Sequence, residues 1–256
     1  MADAGIALVR RPGRRLAEGL VTHQERRPVD LEAARRQHEA YQAALRAAGW
    51  SVRAVPDADD APDAVFVEDT VVVCGDTAVL ALPGAPERRA EVAGTESVVR
   101  DLGLAVERIT APGTLDGGDV LQAGGTVYVG RGDRTNEEGI CQLARLLGGR
   151  RVVPVDVRGA LHLKSAMTAL PDGSLIGVPE WLDTGALPAL RVAPEPSGAH
   201  VVVLGPEHLL LAASAPRTAA LLAADGYRVT VVDIGEFEAL EGCVTCLSVL
   251  VPTRPS

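Results

Sequence analysis

The chain has 256 residues, 47% of them hydrophobic, with a formal net charge of −9 and four cysteines. That length and apolar content allow a sizeable buried core and argue against a disordered chain, and the acidic balance argues against nucleic acid as a partner. No apolar run approaches the roughly 20 residues of a membrane helix, no basic stretch and apolar core open the chain as a signal peptide would, and four cysteines are too few for a disulfide scaffold, so the expected setting is a reducing cytoplasm.

Residues 6–9 read as a short buried strand. Residues 10–27 break the pattern: Arg10, Arg11, Arg14, Arg15, Arg26 and Arg27 surround Leu16, Leu20 and Val21, which fits either a lid over a site or a solvated irregular connection. Asp30 is a helix N-cap, and Ala34, His38, Tyr41 and Leu45 recur at helical spacing up to Gly49. Residues 50–55 alternate as a strand, and the acidic stretch 57–63 is a loop. Residues 65–73 and 78–82 read as a hairpin, 88–102 as a helix and 106–109 as a strand. The same unit follows. Residues 115–122 and 126–129 flank the Gly124-Gly125 turn, 136–147 is a helix and 151–157 a strand. Residues 161–170 and 175–178 flank Asp172-Gly173, but the helix expected next is broken by Pro188, Pro194 and Pro196. Residues 200–204 and 209–212 form another pair, then a helix over 215–224 and a strand over 227–232, and the chain closes on a strand over 247–251.

Hairpin, helix, strand thus recurs about four times, with a final partial unit that the first strand can complete. A structural period of roughly 40–50 residues predicts a closed, pseudo-symmetric α/β array over residues 1–256 as a single domain. The chemically capable residues fall at comparable points in it: Glu68 and Asp69 in the first hairpin, Asp116 in the second, His162 in the third and Cys246 at the end. Equivalent points in a ring converge on one axis.

Cysteine, histidine and a carboxylate supply a nucleophile, a proton shuttle and a group that sets the histidine's charge; the competing reading of Cys246 is an inert core thiol. Glu68 and Asp69 lie in an apolar stretch, where two adjacent acids need a partner. A planar guanidinium ligand would serve, and so would internal pairing with Arg88 or Arg89. Cys243-Val244-Thr245-Cys246 is a C-x-x-C, but it precedes a strand, whereas a thioredoxin-like pair opens a helix; as a zinc site it lacks further ligands. Cys74 and Cys141 read as core, and Gly117-Gly118 is not followed by the lysine of a phosphate loop.

Six stretches carry a resemblance: residues 63–69 (DAVFVED), 83–89 (PGAPERR), 115–120 (LDGGDV), Val129-Gly130 with Arg134-Thr135-Asn136, 161–165 (LHLKS) and 245–248 (TCLS). In this order, over nearly the whole chain, they resemble the dimethylarginine dimethylaminohydrolase family of the guanidine-modifying, pentein superfamily. The resemblance implies a five-bladed α/β propeller of ββαβ units and hydrolysis of C–N bonds in linear amidines, releasing citrulline from methylated arginines without metal or cofactor. It implies Cys246 as nucleophile, His162 as acid and base, and Asp116 as the residue that orients His162. Asp69, with Glu68 beside it, would bind the guanidinium and Asp63 would help hold the substrate. Arg88 and Arg134 would grip the α-carboxylate, Leu20 would sit in the lid and Glu241 near the α-amine. Arginine deiminases resemble this site but carry His-x-Asp; here the residue two after His162 is Lys164, which suits a substrate nitrogen bearing methyls. A small-molecule substrate and a monomer or homodimer are expected. The alternatives are a hydrolase of another substituted arginine and a non-catalytic binding protein of the same fold.

Overall fold

The computed structural model describes residues 4–253. Its strands form five three-stranded sheets, and each sheet has one plan: an antiparallel pair whose second strand also runs parallel to a third. In the second blade Val71–Cys74 pairs antiparallel with Thr77–Leu80, which pairs parallel with Ala105–Arg108. Strands Val120–Ala123, Thr126–Arg131 and Arg151–Asp156 repeat this in the third blade. Met167–Ala169, Leu175–Gly177 and Leu190–Val192 do so in the fourth, and Val202–Gly205, His208–Ala212 and Arg228–Val232 in the fifth. The first blade joins the two ends of the chain: Gly5–Val9 pairs antiparallel with Val249–Pro252 and parallel with Trp50–Ala54. The expected completion of the last unit by the first strand is what closes the ring.

Each parallel return needs a crossover, and helices supply it where the sequence permits. Leu31–Ala47 begins at Asp30, whose carboxylate accepts from the backbone N–H groups of Glu32 and Ala33. Glu137–Leu146 begins at Asn136, whose side chain accepts from Gly139 N–H. The helix expected over 88–102 divides into a 3-10 stretch, Pro86–Glu91, and an α-helix, Val92–Asp101. In the fourth blade the prolines leave only the short turns Pro179–Trp181 and Thr184–Ala186.

The buried apolar residues separate into five clusters, one at each interface between neighbouring blades. Alternation along the strands produces this. In the first strand Ala7 and Val9 join Leu204, Leu210 and Phe237 toward the fifth blade, while Leu8 joins Leu80, Val98 and Val249 toward the second. Val79 meets Val127 and Leu143 between the second and third blades, Leu121 meets Met167 and Leu175 between the third and fourth, and Ile176 meets Leu209 and Leu222 between the fourth and fifth. Among the described residues no helix is long and apolar enough to cross a membrane.

The sequence reading puts Glu68, Asp69, Asp116 and His162 within hairpin strands and Cys246 just before the closing strand. All of them lie at short turns just before the strand that opens each blade's antiparallel pair, a correction for the first four. Glu68 and Asp69 are in the 3-10 turn Val67–Thr70, Asp116 precedes the turn Gly117–Asp119, His162 precedes the single helical turn Leu163–Ala166, and Cys246 follows Cys243 by one turn, with Cys246 N–H donating to Cys243 C=O at 3.1 Å.

Candidate active site

These turns converge. Asp69, Asp116 and His162, from three different blades, each bring one nitrogen or oxygen atom within 4.8 Å of the others, and all three are buried. Cys246 and His162 line one cavity with Asp63, Asp69, Arg88 and Arg134; Leu20, Leu240 and Glu241 close over it. The expectation that distant motifs share one axis therefore holds in the geometry for Asp69, Asp116, His162 and Cys246.

His162 is held from one side by Asp116, whose Oδ2 lies 3.0 Å from Nε2. Its Nδ1 faces Asp69 Oδ1 at 3.7 Å. Burial disfavours the charged imidazole, but Asp69, Asp119 and Asp116 outweigh it and push His162 up from an ordinary 6.5 to about 10. Asp69 moves the other way. Its burial favours the neutral acid, yet His162, Arg88 and the N–H of Gly118 (2.9 Å) hold it down at about 2. The site thus rests as an imidazolium beside carboxylates. Cys246 is pushed well above the ordinary thiol range by its contact with Cys243, by burial and by the charges of Glu68 and Asp69. The same contact pulls Cys243 down, and a cation arriving beside Cys246 would favour its thiolate.

Asp116 is itself positioned. Thr135 Oγ1 accepts from Asp116 N–H at 3.1 Å and donates to Asp119 Oδ2 at 2.6 Å. Asp119 Oδ1 accepts from Leu163 N–H at 2.9 Å, so Asp119 ties the Asp116 turn to the His162 turn. Asp119 and Thr135 fall within the stretches 115–120 and 134–136, but only the folded geometry reveals this bracing; the one signal in the sequence is an acid in the apolar surroundings of Leu115 and Val120. Tyr41, read only as part of a helical stripe, donates to Val244 C=O at 2.9 Å and meets Ser248 Oγ at 2.8 Å, so it braces the Cys246 turn from both sides.

The acids and bases assigned to the ligand separate into two groups. Arg134 Nη1 is buried and makes no hydrogen bond, although it stands 3.8 Å from Asp116 Oδ2. Arg88 is already engaged, donating to Asp69 Oδ2 at 2.5 Å, to Glu91 Oε2 at 2.9 Å and to the carbonyls of Asp63 and Phe66. Internal pairing of Asp69 with Arg88, the competing reading, is therefore present. Glu68 does not stand beside Asp69 in the cavity. Successive residues of the 3-10 turn point different ways, and Glu68 accepts from Lys164 Nζ at 2.6 Å and from Thr245 Oγ1 at 3.2 Å, where it lines a separate cavity with Val72, Gln122 and Val202. Burial raises Glu68 to about 7 against the opposing pull of Lys164.

The stretch read as a lid or an irregular connection covers the site. Leu20 N–H donates to both Asp63 oxygens at 3.1 and 3.2 Å. Glu241 accepts from Thr22 N–H and Gln24 N–H, both at 2.9 Å, from His23 N–H and from Thr22 Oγ1. Its carboxylate holds the lid instead of lying free for a substrate amine. Asp69, Asp116 and His162 could in principle gather a cation, but the Arg88 and Arg134 guanidinium groups stand on the same cluster and oppose one electrostatically.

A ring of five ββαβ blades with a buried thiol, imidazole and carboxylates at its axis is the architecture of the pentein class of guanidine-modifying proteins. Residues 21–183 match the family model described as N,N dimethylarginine dimethylhydrolase, eukaryotic, and the chain belongs to the dimethylarginine dimethylaminohydrolase family. It is 58% identical over 246 residues to the N(G),N(G)-dimethylarginine dimethylaminohydrolase of Streptomyces coelicolor, covering 95% of each chain. Among solved structures it superposes with a TM-score of 0.91, at 32% identity over 97% of this chain and 100% of the other, on a dimethylarginine dimethylaminohydrolase in which glycine replaces a histidine, an adduct with S-methyl-L-thiocitrulline. The Pseudomonas aeruginosa enzyme, as a cysteine-to-serine mutant complexed with citrulline, gives a TM-score of 0.87 at 32% identity, covering 97% of this chain and 99% of that one.

Proposed function

We propose that this chain hydrolyses Nω-methylated arginines to citrulline and dimethylamine or methylamine through a covalent intermediate on Cys246. The observation that carries this reading is the single cavity holding Cys246, His162, Asp69 and a buried guanidinium donor of Arg134 with no hydrogen-bond partner, in a chain 58% identical to a named dimethylarginine dimethylaminohydrolase. Asp69 binds the substrate guanidinium, which must compete with Arg88 for it. The arriving cation lowers the Cys246 thiol, so the substrate helps generate its own attacker. The thiolate adds to the guanidinium carbon. His162, charged at rest, gives its proton to the departing amine and leaves an S-alkylthiouronium. The now neutral imidazole takes a proton from water, which attacks the same carbon; the C–S bond breaks and citrulline leaves. Asp116 keeps His162 oriented, and Arg134 takes the α-carboxylate. Asp63 and Glu241 act by holding Leu20 and residues 22–24 closed over the substrate. Cys246, His162, Asp69 and Asp116 come from four different blades, which supports residues 1–256 working as a single catalytic domain. Four cysteines that are all free thiols support a cytoplasmic setting.

Citrulline release from asymmetric dimethylarginine, compared with arginine, tests this in wild type and Cys246→Ser. Turnover of the methylated substrate, lost in Cys246→Ser, is expected. Preference for plain arginine would move the chain to deiminase chemistry despite the Lys164–Glu68 pair.

A further inference from the structure

Cys243 has no part in the chemistry above, yet its Sγ lies 3.1 Å from Cys246 Sγ. The two thiols sit at the ends of one turn, closed by Cys246 N–H donating to Cys243 C=O at 3.1 Å, while Cys243 N–H points at Cys246 Sγ from 3.4 Å. Cys246 lines the substrate cavity. Cys243 is 1% exposed and packed among Leu240, Val244 and Phe66, so a small reagent that enters the cavity meets Cys246. Closing to a disulfide needs the sulfurs to approach by about 1 Å, to a bond of about 2.0 Å.

We propose that Cys243 is a resolving cysteine, so that Cys243 and Cys246 form an oxidative modification site that converts the nucleophile reversibly to an intramolecular disulfide. The oxidant is a peroxide. Cys246 attacks one peroxide oxygen as it sheds its proton; an S–O bond forms, the O–O bond breaks, and the departing hydroxide takes that proton and leaves as water. Cys243, giving up its proton, attacks the Cys246 sulfenic sulfur; the S–S bond forms, the S–O bond breaks, and a second water leaves. Two thiols and one hydrogen peroxide give one disulfide and two waters. The disulfide has no free thiolate, so amidine chemistry stops. It also stops Cys246 from advancing to the sulfinic acid, which thiols do not reduce. This differs from the thioredoxin-like reading of the C-x-x-C: the pair does not open a helix, and it guards a nucleophile without exchanging disulfides with a partner.

The test exposes wild type, Cys243→Ser and Cys243→Ala to hydrogen peroxide, maps the peptide containing residues 243–246 without reduction, and measures citrulline release before and after dithiothreitol. Expected for wild type is a mass loss of about 2 Da on that peptide, with activity lost and then regained on reduction. In the variants Cys246 should gain about 16 and then about 32 Da, with the second gain and its activity loss surviving dithiothreitol. Accumulation of the heavier products in wild type without the lighter one, no mass change under conditions that oxidise a free thiol peptide, or equal recovery in all three proteins would overturn the proposal. Should a variant fail to fold, the wild-type map still decides. The activity readout rests on the proposed hydrolase reaction; the mass readout does not, so failure of that reaction and failure of the resolving role are separable.

Discussion

At the scale of single residues the site depends on what is absent as much as on what is present. A Cβ on Gly118 would stand 2.6 Å from Asp69 Oδ1 and 2.7 Å from His162 Nδ1, closer than packed atoms come. Gly117-Gly118 attracts attention in the sequence as a phosphate-loop fragment; its use is to let two charged side chains meet over a bare backbone, which only the folded geometry reveals. Gly118→Ala should therefore spread His162 and Asp69 apart and lower citrulline release on the order of a hundredfold, the usual cost of about 1 Å of misplacement, and an alanine variant within a few-fold of wild type would refute the close approach. His162 gives a pH signature of definite sign. Its folded value of about 10 lies above the ordinary 6.5, so its charge stabilises the fold fully below about pH 6.5, and that contribution is lost as pH rises toward 10. Asp69, lowered to about 2 from 3.8, contributes above its ordinary value and loses that as pH falls through 2. Urea midpoints of wild type should drop between pH 6.5 and 10, while His162→Gln should show a flatter profile over the same range. Parallel profiles would mean that the imidazole is neutral in the folded protein. The Cys-His-carboxylate identities were legible in the sequence because few residue types do this chemistry. The ion pairs Arg88–Asp69 and Lys164–Glu68 were not fixed there, because pairing depends on which way adjacent side chains of a turn point.

At the scale of elements, the turns before the opening strands explain why strand boundaries read from the sequence fall early. Residues 65–70 are apolar enough to pass for strand, but Thr70 Oγ1 donates to Val67 C=O at 2.6 Å and Phe66 N–H donates to Asp63 C=O at 2.9 Å, so the backbone coils before it extends. Coiling is what turns Asp69 toward the substrate cavity and Glu68 away from it. The lid shows a second local effect. Glu241 is a non-glycine residue with φ of +61°, a conformation costing an L residue about 1–2 kcal/mol, and it is held there while its carboxylate collects the N–H groups of residues 22–24. The two consequences separate in Glu241→Gly. The backbone is relieved, so the thermal midpoint should hold or rise. The lid loses its acceptor, so amide exchange at residues 22–24 should quicken and KM for a methylated arginine should rise several-fold. A variant that loses stability and leaves KM unchanged would show that Glu241 serves the fold and not the lid.

At the scale of the whole molecule, a period of hairpin, helix and strand was enough to infer a ring, because repeats that each touch only their neighbours must end on capped edges or close on themselves. What the period could not show is how unequal the blades are. The fourth manages its crossover with two 3-10 turns, and the first is assembled from opposite ends of the chain, with Leu8 paired to both Val249 and Arg53. The ring is sealed beyond those ladders by Trp50 Nε1 donating to Leu204 C=O at 3.1 Å and by Tyr41 reaching Val244, while Thr253 N–H donates to Ala4 C=O at 3.2 Å. Closure of this kind makes the position of the chain ends incidental but their pairing essential. A circular permutant that joins residue 253 to residue 4 through a short glycine linker and opens at Gly124-Gly125, where a Cβ on either glycine would meet nothing within 4 Å, keeps every ladder and every site turn; it should fold and release citrulline at a rate within a few-fold of the parent. Deleting residues 249–253 removes only one short strand, yet it leaves Gly5–Val9 with an open edge and strips the turn of Cys246 from its support, so it should abolish cooperative thermal unfolding and activity together. If the truncated chain stayed folded and active while the permutant did not, the blades would be held by the covalent order of the chain and not by the closed ring of interfaces.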